Sequence, residues 1–268
     1  MRKFILIGLI FFLITIPISS AVASSKQAYG DYLYQFDRYR RTYADFQVAR
    51  DSYLKYHSLT SQTQAVNATQ TMLTQRNLLL RTYLLFLNEK LNEDWGLTAT
   101  ARQQYQGNLQ KEIAFLDAQN REIVGLTTLD DAVRMSKLLE THAIPLQITI
   151  RQTIIEITLG KLSALSRTFD QSLQMTQTLV NANAALLTPE KISTINQWLI
   201  QIQNTRNLHQ QKIEEITDAA STQFTAATTL FDIDQKFTDI NKKFTEAQQL
   251  LAQATAYLGE LVTALQYQ

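Results

Sequence analysis

The chain has 268 residues, no cysteine, and 18% charged residues that balance to a formal net charge of +1. Without cysteine there is no disulfide, thiolate nucleophile, Cys-ligated zinc, iron–sulfur cluster, c-type haem or lipidated lipoprotein terminus. A balance this close to neutral also argues against nucleic acid or an anionic membrane surface as partner, because both need concentrated Lys and Arg.

The first residues read MRKFILIGLIFFLITIPISSAVASS. Arg2 and Lys3 precede an apolar run from Phe4 to Ile18, and small residues end at Ala21-Val22-Ala23. This is the pattern of a secretory signal peptide over residues 1–23 with cleavage after Ala23, and it predicts an extracytoplasmic protein, secreted or in the cell envelope. An uncleaved membrane anchor is the alternative, since Phe4 to Ala23 carries no charge and approaches the roughly 20 residues a membrane helix needs. Loss of Arg2 and Lys3 takes the formal charge from +1 to −1.

Residues 24–268 are read as one domain. Seven Gly and three Pro in the whole chain leave few breakers, so long helices with few turns are expected. The fold class predicted is all-α: an elongated bundle of about four to six long amphipathic helices with coiled-coil-like packing. Short loops are expected near residues 58, 96, 126, 187 and 220–228.

The first helix carries large apolar residues at Tyr29, Tyr32, Phe36, Tyr39, Tyr43, Phe46 and Tyr53, with polar Arg50 in the same series. Steps of three and four make this an inward seam rather than a strand. Asp37 with Arg41, Arg41 with Asp45, and Asp51 with Lys55 fall at i,i+4 on a solvated face. Tyr34 and Tyr56 lie off the stripe, and they are the residues left over as ligand or partner contacts.

A second series, Leu59, Val66, Leu73, Leu80 and Leu87, repeats by seven, with Ser61 and Gln64 as a helix start. Residues 26–93 then form either two helices or one kinked helix. Gln62, Thr69 and Gln70 between the leucines predict a weaker seam. Thr98 is an N-cap for a helix burying Leu97, Ala101, Tyr105, Leu109, Ile113, Leu116 and Ile123, ending near Gly125. Thr128 with Asp131 caps the next, whose apolar series runs from Val133 and Leu138 through Leu139, Ile155 and Leu162 to Leu173. Pro145 is expected to kink or divide it.

Thr188-Pro189-Glu190 is the strongest internal boundary: an N-cap, Pro at the first helical position and an acid in the first turn. Ile192, Ile195, Leu199 and Ile202 follow, and then Arg206 and His209 occupy the stripe before Ile213 and Ile216 resume it. Those two read either as a polar layer that fixes register against a neighbouring carboxylate or as a stretch of exposed stripe. From Leu230 to Leu265 the three-four alternation runs without a miss.

Chemistry is sparse. His57, His142 and His209 form no Glu-x-x-His or His-x-x-x-His pair, and Glu140 lies on a different helix face from His142. The chain has no Gly-x-Ser-x-Gly elbow and no phosphate-binding Gly loop. Asp130-Asp131 and Glu214-Glu215 read as a helix start and a solvated side. Ala143 to Leu165 is interrupted by Arg151, Glu156 and Lys161, which weighs against a helical pore-forming protein. No catalytic, metal or cofactor residue is assigned.

Three readings follow: a non-enzymatic bundle acting through protein contacts, as a homo-oligomer or with an envelope partner; a ligand-binding or sensory bundle with an aromatic pocket; and, less favoured, a pore former. The first predicts that Tyr29 to Tyr53 are buried against other helices. The second predicts that several are part-exposed around a cavity.

Overall fold

A computed structural model describes residues 24–222, 224 and 227–266. Residues 1–23, which the sequence reads as a signal peptide, lie outside them. Among the described residues there are six α-helices and no strand: α1 Ser25–Tyr56, α2 Leu59–Glu93, α3 Ala99–Ile123, α4 Leu129–Ala182, α5 Pro189–Thr222 and α6 Leu230–Gln266. A 3-10 turn, Ala184–Leu186, follows α4.

Local chemistry sets the boundaries. Ser24, Thr98 and Thr128 each accept a backbone N–H from the third residue on, satisfying donors that a helix start leaves orphaned. Thr128 adds a 2.7 Å bond to the Asp131 carboxylate. Between α1 and α2 the chain breaks at His57, whose φ of 47° is left-handed. Its N–H still closes on Tyr53 O at 2.9 Å, and its ring packs edge-on against Tyr53.

Residues 26–93 are thus two helices. The second starts three residues earlier than the sequence reading placed it, because Ser58 and not Ser61 is the cap. Ser58 Oγ accepts Ser61 N while Ser61 Oγ accepts Ser58 N, a reciprocal capping box built from two serines.

Pro145 does not divide α4, which stays helical through all 54 residues. Proline removes one hydrogen bond and frees the carbonyl four residues back. Here Pro145 and Thr141 both lie on the exposed side, while Leu139, Leu146 and Ile150 hold α4 in the core.

The helices pack as two hairpins on a shared spine. α1 lies along α2, and α5 lies along α6. α4 touches α2 and α3 on one side and α6 and, less, α5 on the other. One core joins Leu84, Leu91, Leu109 and Leu116 to Leu139, Leu146, Ile150 and Ile157 of α4. A smaller cluster at Met72, Leu73, Ile123 and Met135 continues it beneath Tyr39 and Phe46 of α1. The other core joins Ile155, Leu162, Phe169 and Leu173 of α4 to α5 and to α6, where the stripe from Ile233 to Leu261 is buried.

Two expectations about packing are corrected. α2 is firmly packed rather than weakly seamed: Leu73, Leu84 and Leu91 are fully buried, together with Gln75 and Asn77. It is clasped by α1 on one face and by α3 and α4 on another, so one leucine row undercounts its contacts. Its polar interior is partly paired across helices, by Gln75 Nε2 to Gln35 Oε1 at 2.5 Å and Asn77 Nδ2 to Gln119 Oε1 at 2.9 Å, while Asn77 Oδ1 is buried without a hydrogen-bond partner. Leu59, Val133, Leu138 and Leu230, by contrast, are exposed, Val133 and Leu138 beside buried Ala132, Met135 and Leu139 on the same helix.

Candidate functional site

The aromatic helix α1 divides its rings between two rows. Tyr32, Gln35, Tyr39, Thr42, Phe46, Ala49 and Tyr53 are the half-buried row against α2. Tyr29, Phe36, Tyr43 and Arg50, also seven apart, lie to one side of it and are exposed. Burial against other helices therefore holds for one row and fails for the other. Tyr29 reaches Phe86 at 5.4 Å and Tyr32 reaches Tyr83 at 5.2 Å between ring centroids, so a ladder of tilted rings runs across the α1–α2 seam. Tyr32, Phe36 and Tyr83 also line a cavity of about 260 Å³ whose far wall is Gln147, Ile150 and Arg151 of α4.

Tyr34 and Tyr56 are each 62% exposed. A neighbouring cation covers each ring: the Arg38 guanidinium lies 5.9 Å from Tyr34 and Lys55 Nζ lies 5.0 Å from Tyr56. They are 22 residues apart on one helix, about 33 Å at 1.5 Å per residue, and so do not converge on one ligand. Of the three ion pairs read on this helix, Asp37–Arg41 forms at 3.5 Å, while Asp51 pairs instead with Arg50 at 2.9 Å.

Arg206 and His209 sit in a layer that crosses three helices. Arg206 of α5 grips Asp170 of α4 in a fork, Nε to Oδ1 at 2.6 Å and Nη2 to Oδ2 at 2.7 Å. That contact raises the guanidinium pKa further above its ordinary value. His209 is buried, and its Nδ1 lies 2.9 Å from Ala247 O of α6. A carbonyl only accepts, so Nδ1 carries the proton. Asp170 and His209 share the lining of a cavity of about 310 Å³ with Ser163, Ser166 and Arg167.

Two polar clusters escaped the sequence reading. His142 Nε2 of α4 meets Glu112 Oε2 of α3 at 2.6 Å, and its ring stacks on Phe115 at 3.7 Å. The partners are thirty residues apart, a separation no helical periodicity reveals. The second lies where the α2–α3 turn presses on α4. Asp94 is buried, takes Gly96 N on Oδ1 at 2.9 Å, and leaves Oδ2 without a hydrogen-bond partner. Its own carbonyl accepts Arg102 Nη2 at 2.7 Å. The carboxylate rests on Gly160, the one glycine of α4. An isolated glycine inside a long helical pattern was the available signal of such a close approach.

Beside this contact Tyr105 donates its hydroxyl to Glu156. Burial, first, and the nearby charge of Asp94 raise the Glu156 pKa, against the lowering effect of the Tyr105 bond. Burial and then Glu156 push Tyr105 up to about 12. Both groups hold their protons more tightly folded than unfolded, so each contributes stability that is lost as pH rises. For Glu156 that window opens at its ordinary 4.5 and runs upward. For Tyr105 it lies between 10 and about 12. In urea titrations Glu156→Gln is expected to flatten the decline in midpoint above pH 4.5, and Tyr105→Phe the decline above pH 10. Unchanged profiles in both would refute the assignment.

Among the described residues no group of three or more His, Cys, Asp or Glu is placed to hold a metal ion. No described helix is long and apolar enough to cross a membrane; Ala143 to Leu165 lies wholly within α4. No protein-family model, curated protein or solved structure matches the chain.

Proposed function

We propose that this is a non-enzymatic, secreted or envelope protein: a single elongated bundle that acts through contacts between helices, with a second copy of itself or with an envelope protein. The observation that carries this is the uncovered row of α1. Tyr29, Leu33, Phe36, Tyr43 and Leu54 fall on one face and are 40–58% exposed, while α1 packs chiefly against α2 along its other side. Tyr29, Leu33 and Phe36 adjoin one another, with Tyr43 two turns on and Leu54 beyond Gln47 and Arg50, and clustered exposed apolar residues, unlike scattered ones, mark an interaction surface. The long seam of α6 does not support a partner, because α4 and α5 already bury it. Its unbroken three-four alternation instead supports coiled-coil-like packing inside the chain. Export rests on the N-terminal sequence.

Light scattering on the chain from Ser24 onward tests the proposal. An oligomer is expected, weakened about tenfold or more by Leu33→Glu, which places a charge in the stripe at unchanged helix content. A strict monomer that also captures nothing from an envelope extract would sink it.

A ligand-binding bundle is the second reading, favoured by the Tyr32, Phe36 and Tyr83 cavity. Arg151 lines it with a buried Nε that has no partner, while its Nη2 is held by Asp234 at 2.8 Å. A thermal-shift screen of small carboxylates should then raise the melting temperature, and Arg151→Gln should abolish the rise.

A further inference from the structure

The start of α1 is tied to the far end of α2. Ser25 is buried, its N–H donates to Glu93 Oε1 at 2.8 Å and its hydroxyl to Oε2 at 2.5 Å, across 68 residues of sequence. Glu93 ends α2, where the partial negative charge of its own helix disfavours a carboxylate. What favours it there is α1. The first turn of α1 has no acid of its own and contains Lys26, so Glu93 supplies from another helix the negative charge that this helix start lacks.

Ser24 is held by groups that proteolysis at its amino side would not touch. Its hydroxyl accepts Gln27 N at 3.3 Å and its carbonyl accepts Ala28 N at 3.1 Å. Hydrolysis of the Ala23–Ser24 peptide bond leaves a carboxylate on Ala23 and an ammonium on Ser24, while the cap stays intact. Ser24 is extended, at φ −69° and ψ 151°, and one extended residue spans about 3.3–3.6 Å. The new ammonium therefore lies within about 6.5 Å of the carboxylate that already holds Ser25, close enough for each charge to favour the other.

We propose that Glu93 is the docking carboxylate for the α-ammonium group of Ser24 in a chain from which residues 1–23 have been removed. This rests on the secretion reading above. Processing then adds a positive charge at a helix start that would repel it, and Glu93 converts that penalty into an anchor. Lys90, at 3.5 Å on α2, is the competing cation, and Asp94 and Lys161 line the same cavity as Glu93. The Glu93 carboxyl is held below its ordinary range, first by the Ser25 hydroxyl and then by the Ser25 N–H, so it is ionised wherever the ammonium is.

The test uses the chain beginning at Ser24, released from a removable fusion, with its amine free or acetylated, each with and without Glu93→Gln. The substitution should lower the melting temperature by several degrees more in the free-amine chain than in the acetylated one. The Ser24 α-amino pKa, followed by NMR, should fall by about one unit in the variant. Equal losses in both chains with an unmoved amine pKa would overturn the docking. N-terminal mass spectrometry of the exported protein tests the processing separately: a terminus other than Ser24 refutes cleavage after Ala23 and overturns the docking in the processed protein, whatever ion pair is measured in the chain made to begin at Ser24.

Discussion

Gly96→Ala is expected to lower stability by about 3 kcal/mol or more, a fall of about 6–12 °C in melting temperature for a chain of this size. A methyl group built on Gly96 falls 1.6 Å from Gly160 O and 2.4 Å from its carbonyl carbon. Backbone is on both sides of that contact, so no rotamer relieves it. The α2–α3 turn must lift from α4, and lifting it uncovers the buried Asp94 carboxylate and pulls on the Arg102 bond to its carbonyl. Gly160→Ala attacks the same contact from the other side, 2.7 Å from both Asp94 carboxylate oxygens. It should cost less, because a side chain can give way where a main chain cannot. Gly107 and Gly259 are the controls. They sit in exposed helix interiors with nothing near the added carbon, and Ala there should stabilise by about 0.5–1 kcal/mol. Thermal unfolding followed by circular dichroism separates the cases, and a Gly96→Ala chain that melts with the controls would show that the turn is not pressed onto the helix.

Phe224→Ala should cost about 3–5 kcal/mol, the range for deleting a fully buried aromatic ring. Phe224 belongs to the connector between α5 and α6, yet it is wholly buried in the core shared by Ile155, Ile216 and Ile233. Its carbonyl accepts Ala227 N at 3.2 Å, so ring and backbone are fixed together. The Phe224 ring fills the core between α4, α5 and α6, and truncating it leaves a cavity bounded by helices that cannot collapse inward. Phe224→Leu should recover more than half of the loss. Urea unfolding checks both, and a midpoint for Phe224→Ala within error of the parent would mean the ring carries no load.

The helix ends were legible in the sequence because caps are local chemistry. Thr98, Thr128 with Asp131, and Thr188-Pro189-Glu190 act within four residues, and each marks its helix start. Ser58 was missed because its box is closed by a serine where glutamate or glutamine is usual. Which side of a helix is buried was less legible. α1 carries two aromatic rows about a sixth of a turn apart, and periodicity cannot say that only the Tyr32–Tyr53 row has a helix behind it. Arg206 and His209 were visible as a break in a stripe, but Asp170 and the Ala247 carbonyl were not, because contacts between distant segments leave no spacing to read. The Asp94–Gly160 contact is of the same kind, and only the lone glycine hinted at it.

The continuity of α4 past Pro145 has a consequence for how the protein comes apart. Ile155 belongs to one core and Ile157, two residues on, to the other. A break that melted one core alone would have to end inside a hydrogen-bonded helix at the point where both cores grip it. The frayed turn would expose apolar surface to each side. The interval between the cores is too short to act as a hinge, so the two hairpins are expected to unfold as one cooperative unit. Trp198 packs with Tyr257 in the α5–α6 half, and circular dichroism reads the helices of both halves. Trp198 fluorescence and the helix signal should therefore show a single transition at the same midpoint, with a calorimetric enthalpy equal to the van't Hoff value.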